Sequence, residues 1–223
     1  MPVSLRTGKL NPSDSLTDYA CIHREMAPSV VMRRTIGHFF GIMHHWSDSP
    51  STMYIRTPRT PSNDFDAAHF KKALSQFATG VTVITTRLAD GTLLGLTASS
   101  FNSVSLAPPL VLWSLSDRAS SMPVFSENSH YVINILGAGQ AALAEQFARK
   151  TGDRFAGVDF TLSRTGQPVL TGASAWFECH NRSRYPEGDH VIFVGEVEHC
   201  EVSPQAALIF HDGGFVQTAK LEK

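Results

Sequence analysis

The chain has 223 residues, 42% hydrophobic and 17% charged, an ordinary globular composition that excludes a disordered protein. Its net charge of −1 gives no global basic field for nucleic acid. Three scattered cysteines, Cys21, Cys179 and Cys200, make no disulfide framework and fit a reducing cytoplasm. The near-zero average hides a split. Residues 1–62 carry seven Lys and Arg against four Asp and Glu, whereas residues 63–223 carry twelve against sixteen.

Residues 1–62 differ from the rest. Pro2, Pro12, Pro28, Pro50, Pro58 and Pro61 interrupt them, so no helix runs their length. Their one apolar piece, residues 36–43, falls far short of the ~20 residues of a membrane span, so no membrane association is expected. Residues 32–46 are basic and then apolar, faintly like a targeting segment, but internal and without a clear cleavage site. Residues 57–61 have the composition of a linker. The expectation is an N-terminal extension, 1–62, that is poorly ordered or mis-started, with Met53 the alternative start. One domain follows over 63–223.

That domain opens with a predicted helix. Asn63 or Asp64 can cap it, and Phe70, Ala73, Leu74 and Phe77 fall on one face as core residues. Gly80 is placed to end it. The period then changes to two: residues 81–86 form a strand, Asp90-Gly91 a turn, and residues 93–98 the returning strand. Residues 110–114 are a third strand, behind Pro108-Pro109.

Between those strands lie five small hydroxyls within residues 97–105. Thr97, Ser99, Ser100, Ser103 and Ser105 stand beside Ala98 and Val104. Small hydroxyl residues on an extended backbone let a flat ligand approach and grip its polar edge or a phosphate. Arg118 with Ser120 and Ser121, just before a short predicted helix, offers a cation and hydroxyls of the kind that hold phosphate. Residues 131–136 are a further strand. Residues 140–149 form a helix, with Leu143 and Phe147 paired at i,i+4 and Gly152 as its stop. A polar, glycine-flanked loop with Arg154 and Phe155 follows.

Residues 170–173 are turn-like. Residues 176–185 form a long strand presenting Glu178, His180, Arg182 and Arg184 on one solvated or subunit-facing side. Pro186-Glu187 turns the chain into Gly188-Asp189-His190, and residues 191–198 alternate strongly as a strand. Residues 206–211 and 213–216 close the domain as a hairpin. Cys179-His180 and His199-Cys200 lack the close Cys-x-x-Cys spacing of a structural zinc site, and no metal is expected. No Gly-x-Gly-x-x-Gly follows a first strand and no P-loop is present, so neither a Rossmann dinucleotide domain nor a P-loop is supported. Short strands separated by turn signals, with helices at the margins, define a mainly β fold, an antiparallel Greek-key barrel with peripheral helices.

Several of these stretches resemble one family. Thr97-Ala98-Ser99-Ser100-Phe101, then Ser103-Val104-Ser105 and Pro108-Pro109-Leu110, look like the flavin-binding signature of the short-chain flavin reductases. These are the NAD(P)H:flavin oxidoreductases of two-component monooxygenases. Asp153-Arg154-Phe155-Ala156-Gly157 resembles the family's Asp-Lys-Phe-Ala/Ser-Gly loop, with Arg in place of the commoner Lys. Gly188-Asp189-His190 and the closing hairpin around His211 and Gly213 also match. The resemblance runs from near Phe65 almost to the C-terminus.

The resemblance implies an FMN-binding split barrel and a homodimer. The implied activity is reduction of FMN (or FAD) by NADH or NADPH, with reduced flavin passing to a partner monooxygenase. Thr97, Ala98, Ser99 and Ser100 would line the isoalloxazine. Ser103, Val104, Ser105, Arg118, Ser120 and Ser121 would hold the ribityl phosphate end. Arg154 would remain available for phosphate, and His190, with Phe155, would position the nicotinamide. A non-enzymatic flavin- or haem-binding split barrel is the rival reading; it needs no nicotinamide site, and Gly188-Asp189-His190 argues against it. A pyridoxamine-phosphate-oxidase-like enzyme would place more Arg and Lys around the hydroxyl window.

Overall fold

The computed structural model describes residues 63–217, so the expectations for residues 1–62 lie outside the described residues. Among the described residues, a seven-stranded sheet curls around one core. Its strands are β2 (Thr82–Arg87), β3 (Leu93–Ala98), β4 (Asn102–Leu106), β5 (Pro109–Ser116), β6 (His130–Ile135), β9 (Ala175–Glu187) and β10 (His190–Val202). They run in the order β3-β2-β6-β9-β10-β5-β4, and every pair is antiparallel. A small sheet of β1 (Thr79–Gly80), β11 (Leu208–His211) and β12 (Gly214–Gln217) and a hairpin of β7 (Phe160–Leu162) with β8 (Pro168–Leu170) complete the β structure. Three short helices lie among these: α1 (Ala67–Leu74), α2 (Met122–Glu127) and α3 (Ala141–Ala148).

The sheet feeds two cores because successive side chains of a strand point to opposite faces. Ile84, Trp113, Tyr131, Ile133, Cys179 and Phe193 belong to the first. There Trp113 stacks on Phe193 at 4.7 Å and meets Phe125 and Tyr131 edge-on. Val81, Val83, Leu136, Ala144, Phe147 and Phe210 belong to the second, between the sheet and α3. Strand β2 is therefore buried on both faces, and its threonines satisfy themselves on backbone. Thr82 donates to the Ala98 carbonyl at 2.7 Å and Thr86 to the His130 carbonyl at 3.0 Å.

The structure corrects several expectations. Helix α1 buries none of its residues, and Phe70 and Phe77 are about half exposed at 49% and 54%. The helix is fixed instead by polar contacts to the β11–β12 turn: Lys72 pairs with Asp212, the Gln76 amide donates to Asp212 Oδ1 at 2.8 Å, and Asp212 N–H donates to the Ser75 carbonyl. Gly80 does not cap it, because Gly80 already pairs with Ile209 in the small sheet. The hydroxyl-rich window is itself largely a strand, β4, at the sheet edge, turning into β5 through a cis Ala107–Pro108 peptide. Helix α3 ends at Ala148, with Arg149 rather than Gly152 as its cap. Residues 168–170 form β8 before the turn, and β9 runs through Pro186 to Glu187, leaving Gly188-Asp189 as the turn. Glu178 is fully buried rather than solvated, since the β7–β8 turn folds over it. Its neighbours His180, Arg182 and Arg184 are exposed as expected.

Candidate functional site

A cavity of about 790 Å³ opens where β3 and β5 end near α3, and this volume suits a small-molecule site. Its floor is Leu96, Thr97 and Ala98 on β3 with Leu115 on β5. The residues are small at the centre because β3 must meet α3 closely. A Cβ on Gly95 would come within 2.5 Å of the Phe147 ring. The Thr97 hydroxyl donates to the Ala144 carbonyl at 2.6 Å, which ties strand to helix and leaves its oxygen as an acceptor.

One wall is the β5–α2 loop with the β9–β10 turn. Arg118, Ser120 and Ser121 line it beside Asp189 and His190. Ser121 is buried at the start of α2, yet its side chain makes no capping hydrogen bond. The two segments are joined by Asp117 N–H donating to the Asp189 carbonyl at 3.0 Å, and by the Arg118 guanidinium 4.0 Å from the Asp189 carboxylate. Gly188 at φ +63° makes the tight turn, in the left-handed region that suits glycine. His190 then projects into the cavity with its side chain only 12% exposed, and its Nδ1 lies 2.8 Å from Asp189 Oδ1. The hydrogen bond from His190 holds the Asp189 carboxyl below its usual range. The carboxylate is thus the acceptor and Nδ1 carries the proton, which directs Nε2 as the second polar atom of the ring.

The other wall comes from α1, the end of α3 and the loop beyond it. It carries Lys71, Lys150 and Arg154. Arg154 is half-buried, and one guanidinium N–H donates to the Gly95 carbonyl at 2.7 Å. Burial lowers its pKa from the ordinary arginine value. The Gln146 amide fixes the loop by donating to the Arg154 and Ala156 carbonyls.

The cavity thus gathers seven of the sequence-predicted residues: Thr97, Ala98, Arg118, Ser120, Ser121, Arg154 and His190. It does not gather the other six. Ser99 is buried outside the lining. The Ser100 hydroxyl is engaged on both sides, donating to the Ser114 carbonyl and accepting from Ser114 N–H at 2.9 Å, so it stitches the barrel together. Ser103 and Val104 are exposed on edge strand β4, and Ser105 Oγ accepts from Ala107 N–H in the turn. Phe155 packs edge-on against Phe147 and Phe160 in the second core. Lys71, Lys150 and Asp189 line the cavity without having been singled out by sequence. Only Asp189 carried a signal, as the middle residue of Gly188-Asp189-His190.

Small residues on the floor, hydroxyls and cations on the walls and an oriented imidazole give this antiparallel barrel a site suited to a nucleotide cofactor. Its donors fit a flavin nucleotide: Ser120, Ser121 and Arg118 suit phosphate, and Thr97-Ala98 suits a planar ring. Residues 74–219 match the flavin reductase like domain, and the chain belongs to that family. FMN reductase (NADH) SmoA of Agrobacterium fabrum is 42% identical over 146 residues, 66% of this chain and 83% of its own length. The reductase component of the flavin-dependent trigonelline monooxygenase of Acinetobacter baylyi is 41% identical over 150 residues, 67% of this chain. The chain spans about half, 48%, of that relative. Among solved structures, the Streptomyces globisporus NADH:FAD oxidoreductase SgcE6, in complex with NAD and FAD fragments, superposes with a TM-score of 0.67. It is 34% identical, over 72% of this chain and 98% of its own.

Proposed function

We propose that this protein is an NADH-dependent flavin reductase that reduces FMN (or FAD) and supplies reduced flavin to a partner monooxygenase. The observation that carries the reading is the single cavity that brings the Thr97-Ala98 floor, the Arg118-Ser120-Ser121 wall and His190 together. Thr97 and Ala98 hold the isoalloxazine face. Arg118, Ser120 and Ser121 hold the ribityl phosphate. His190, oriented by Asp189, hydrogen-bonds the nicotinamide side of the site. The cofactors together supply the chemistry, hydride transfer from nicotinamide C4 to flavin N5, while the protein aligns them and excludes water.

The relatives named above support both cofactors and the monooxygenase partner. A homodimer accords with strand β4, an edge strand whose Val104 and Leu106 are 49% and 95% exposed, a surface that a second copy would cover. Free thiols at Cys179 and Cys200 accord with a cytoplasmic location, and among the described residues no helix is long and apolar enough to cross a membrane. The test is NADH consumption by the purified protein, followed by absorbance with and without added FMN. Oxidation that requires added FMN is the expected result for a flavin handed on to a partner. Flavin binding without NADH oxidation would overturn the enzymatic reading.

A further inference from the structure

Arg118 and His190 serve different cofactors in the reading above, yet one carboxylate stands between them. Asp189 Oδ1 accepts from His190 Nδ1 at 2.8 Å, and Asp189 Oδ2 lies 4.0 Å from the Arg118 guanidinium. The backbone fixes this arrangement. His190 opens β10 opposite Ser116, the last residue of β5, and the next N–H, that of Asp117, donates to the Asp189 carbonyl at 3.0 Å. Both neighbours hold the Asp189 carboxyl below its usual range, the imidazole hydrogen bond first and the Arg118 charge as a lesser cause. Asp117 also approaches Arg118, at 3.8 Å from Nε, without being the acceptor of the imidazole.

A carboxylate shared between a cation and a hydrogen-bond donor divides its charge between them. While Arg118 attends Oδ2, Asp189 is the weaker acceptor for Nδ1–H. A phosphate group competes for Arg118, because its bonds to a guanidinium fork are charge-assisted and directional. Once Arg118 turns to phosphate, the carboxylate is left to Nδ1–H, and the imidazole becomes more electron-rich at Nε2. We propose that Asp189 couples the two halves of the site: a flavin phosphate that draws Arg118 away from Asp189 strengthens the hold of His190 on the nicotinamide cofactor. Asp189 is thus a positioning residue, and the signal it passes on is the flavin's phosphate rather than its ring. The inference rests on the flavin reductase reading. Binding coupling is reciprocal, so the nicotinamide cofactor tightens a phosphorylated flavin by the same factor. The Arg118 and Asp189 side chains are 83% and 69% exposed, so solvent screens the pair and the factor is small, about threefold.

The experiment uses the full chain and NAD+, which occupies the nicotinamide site without reducing flavin. FMN and riboflavin are each titrated by flavin fluorescence quenching, with and without saturating NAD+. NAD+ should tighten FMN about threefold more than it tightens riboflavin. Asp189→Asn keeps an acceptor oxygen for His190 but loses the charge that Arg118 attends, so it should bring both flavins to the same factor. Asp117→Asn removes the other carboxylate near Arg118 and should leave the difference in place. The inference is overturned if NAD+ affects the two flavins equally or favours riboflavin in the wild type. It is equally overturned if the difference survives Asp189→Asn or vanishes in Asp117→Asn. Wild-type protein that binds no flavin and oxidises no NADH would sink the reductase reading and this inference with it. An active wild type without the difference between flavins sinks the inference alone.

Discussion

The Asp189 carboxylate decides which nitrogen of His190 carries the proton, and this separates a working imidazole from an exposed one in a turn. With Nδ1–H donated to Asp189 at 2.8 Å, the ring is held in one orientation in the cavity lining. His190→Ala should therefore raise KM for NADH about tenfold, the worth of roughly one well-placed hydrogen bond. The dissociation constant of FMN should stay within about twofold, because no flavin-gripping wall residue depends on the imidazole. Asp189→Asn keeps an acceptor oxygen and should retain most NADH affinity, whereas Asp189→Ala should lose part of it. Steady-state kinetics with FMN titration in parallel checks all three, and equal losses for both cofactors would refute the role of His190. The hydroxyls of the Ser-rich window teach the complementary lesson. Thr97 and Ser100 are three residues apart, yet one lines the site and the other stitches the β3–β4 connection to β5.

At the scale of elements, the docking of α3 on β3 sets the shape of the site, and Gly95 permits it. A methyl group at position 95 would meet the fully buried Phe147 ring at 2.5 and 2.8 Å. Gly95→Ala should cost about 1–3 kcal/mol through overpacking and weaken FMN binding as α3 shifts. A lower urea midpoint together with a weaker FMN titration is the expected pair of results. A second element depends on one buried carboxylate. Burial pushes the Glu178 carboxyl up, but hydrogen bonds from the Ser163 and Thr165 hydroxyls and Thr165 N–H outweigh it, so its pKa lies below the ordinary 4.5. A depressed carboxyl adds stability above its unfolded pKa and loses it as pH falls through the folded value. Stability measured by urea should thus drop between neutral pH and about pH 4 and below, and Glu178→Gln should flatten that acid limb while costing about 1–3 kcal/mol at pH 7. Sequence made the strands of the barrel legible wherever apolar alternation and the Asp90-Gly91 turn marked them, but it set the β9–β10 turn at Pro186-Glu187, which β9 runs through to reach Gly188-Asp189. It missed the burial of Glu178, because alternation assigns a face but cannot show that the β7–β8 turn folds over that face. The hydroxyls read as a ligand grip at Ser103 and Ser105 fall on edge strand β4, since small hydroxyls suit an edge strand and a ligand-binding stretch equally. Lys71 and Lys150 were invisible because only the tertiary placement of α1 and α3 brings them to one cavity.

At the scale of the whole molecule, the local and global fields have opposite signs. Residues 63–223 carry twelve Lys and Arg against sixteen Asp and Glu, a net negative domain that on average repels nucleotide cofactors. The cavity reverses this: among the described residues four cations, Lys71, Arg118, Lys150 and Arg154, face it, with Asp189 as the only carboxylate in its lining. A concavity with low-dielectric walls focuses the field of its own charges, while charges on the far surface are screened beyond a Debye length of about 10 Å at 0.1 M salt. The cavity field should therefore govern capture of anionic FMN and NADH. Raising ionic strength from about 0.02 M to about 0.3 M should raise the dissociation constant of FMN and KM for NADH several-fold and leave neutral riboflavin nearly unaffected. If the domain's net charge governed instead, added salt would relieve repulsion and both constants would fall. The sign of the salt effect, read against riboflavin, distinguishes a cavity that draws its cofactors in from one that only receives them.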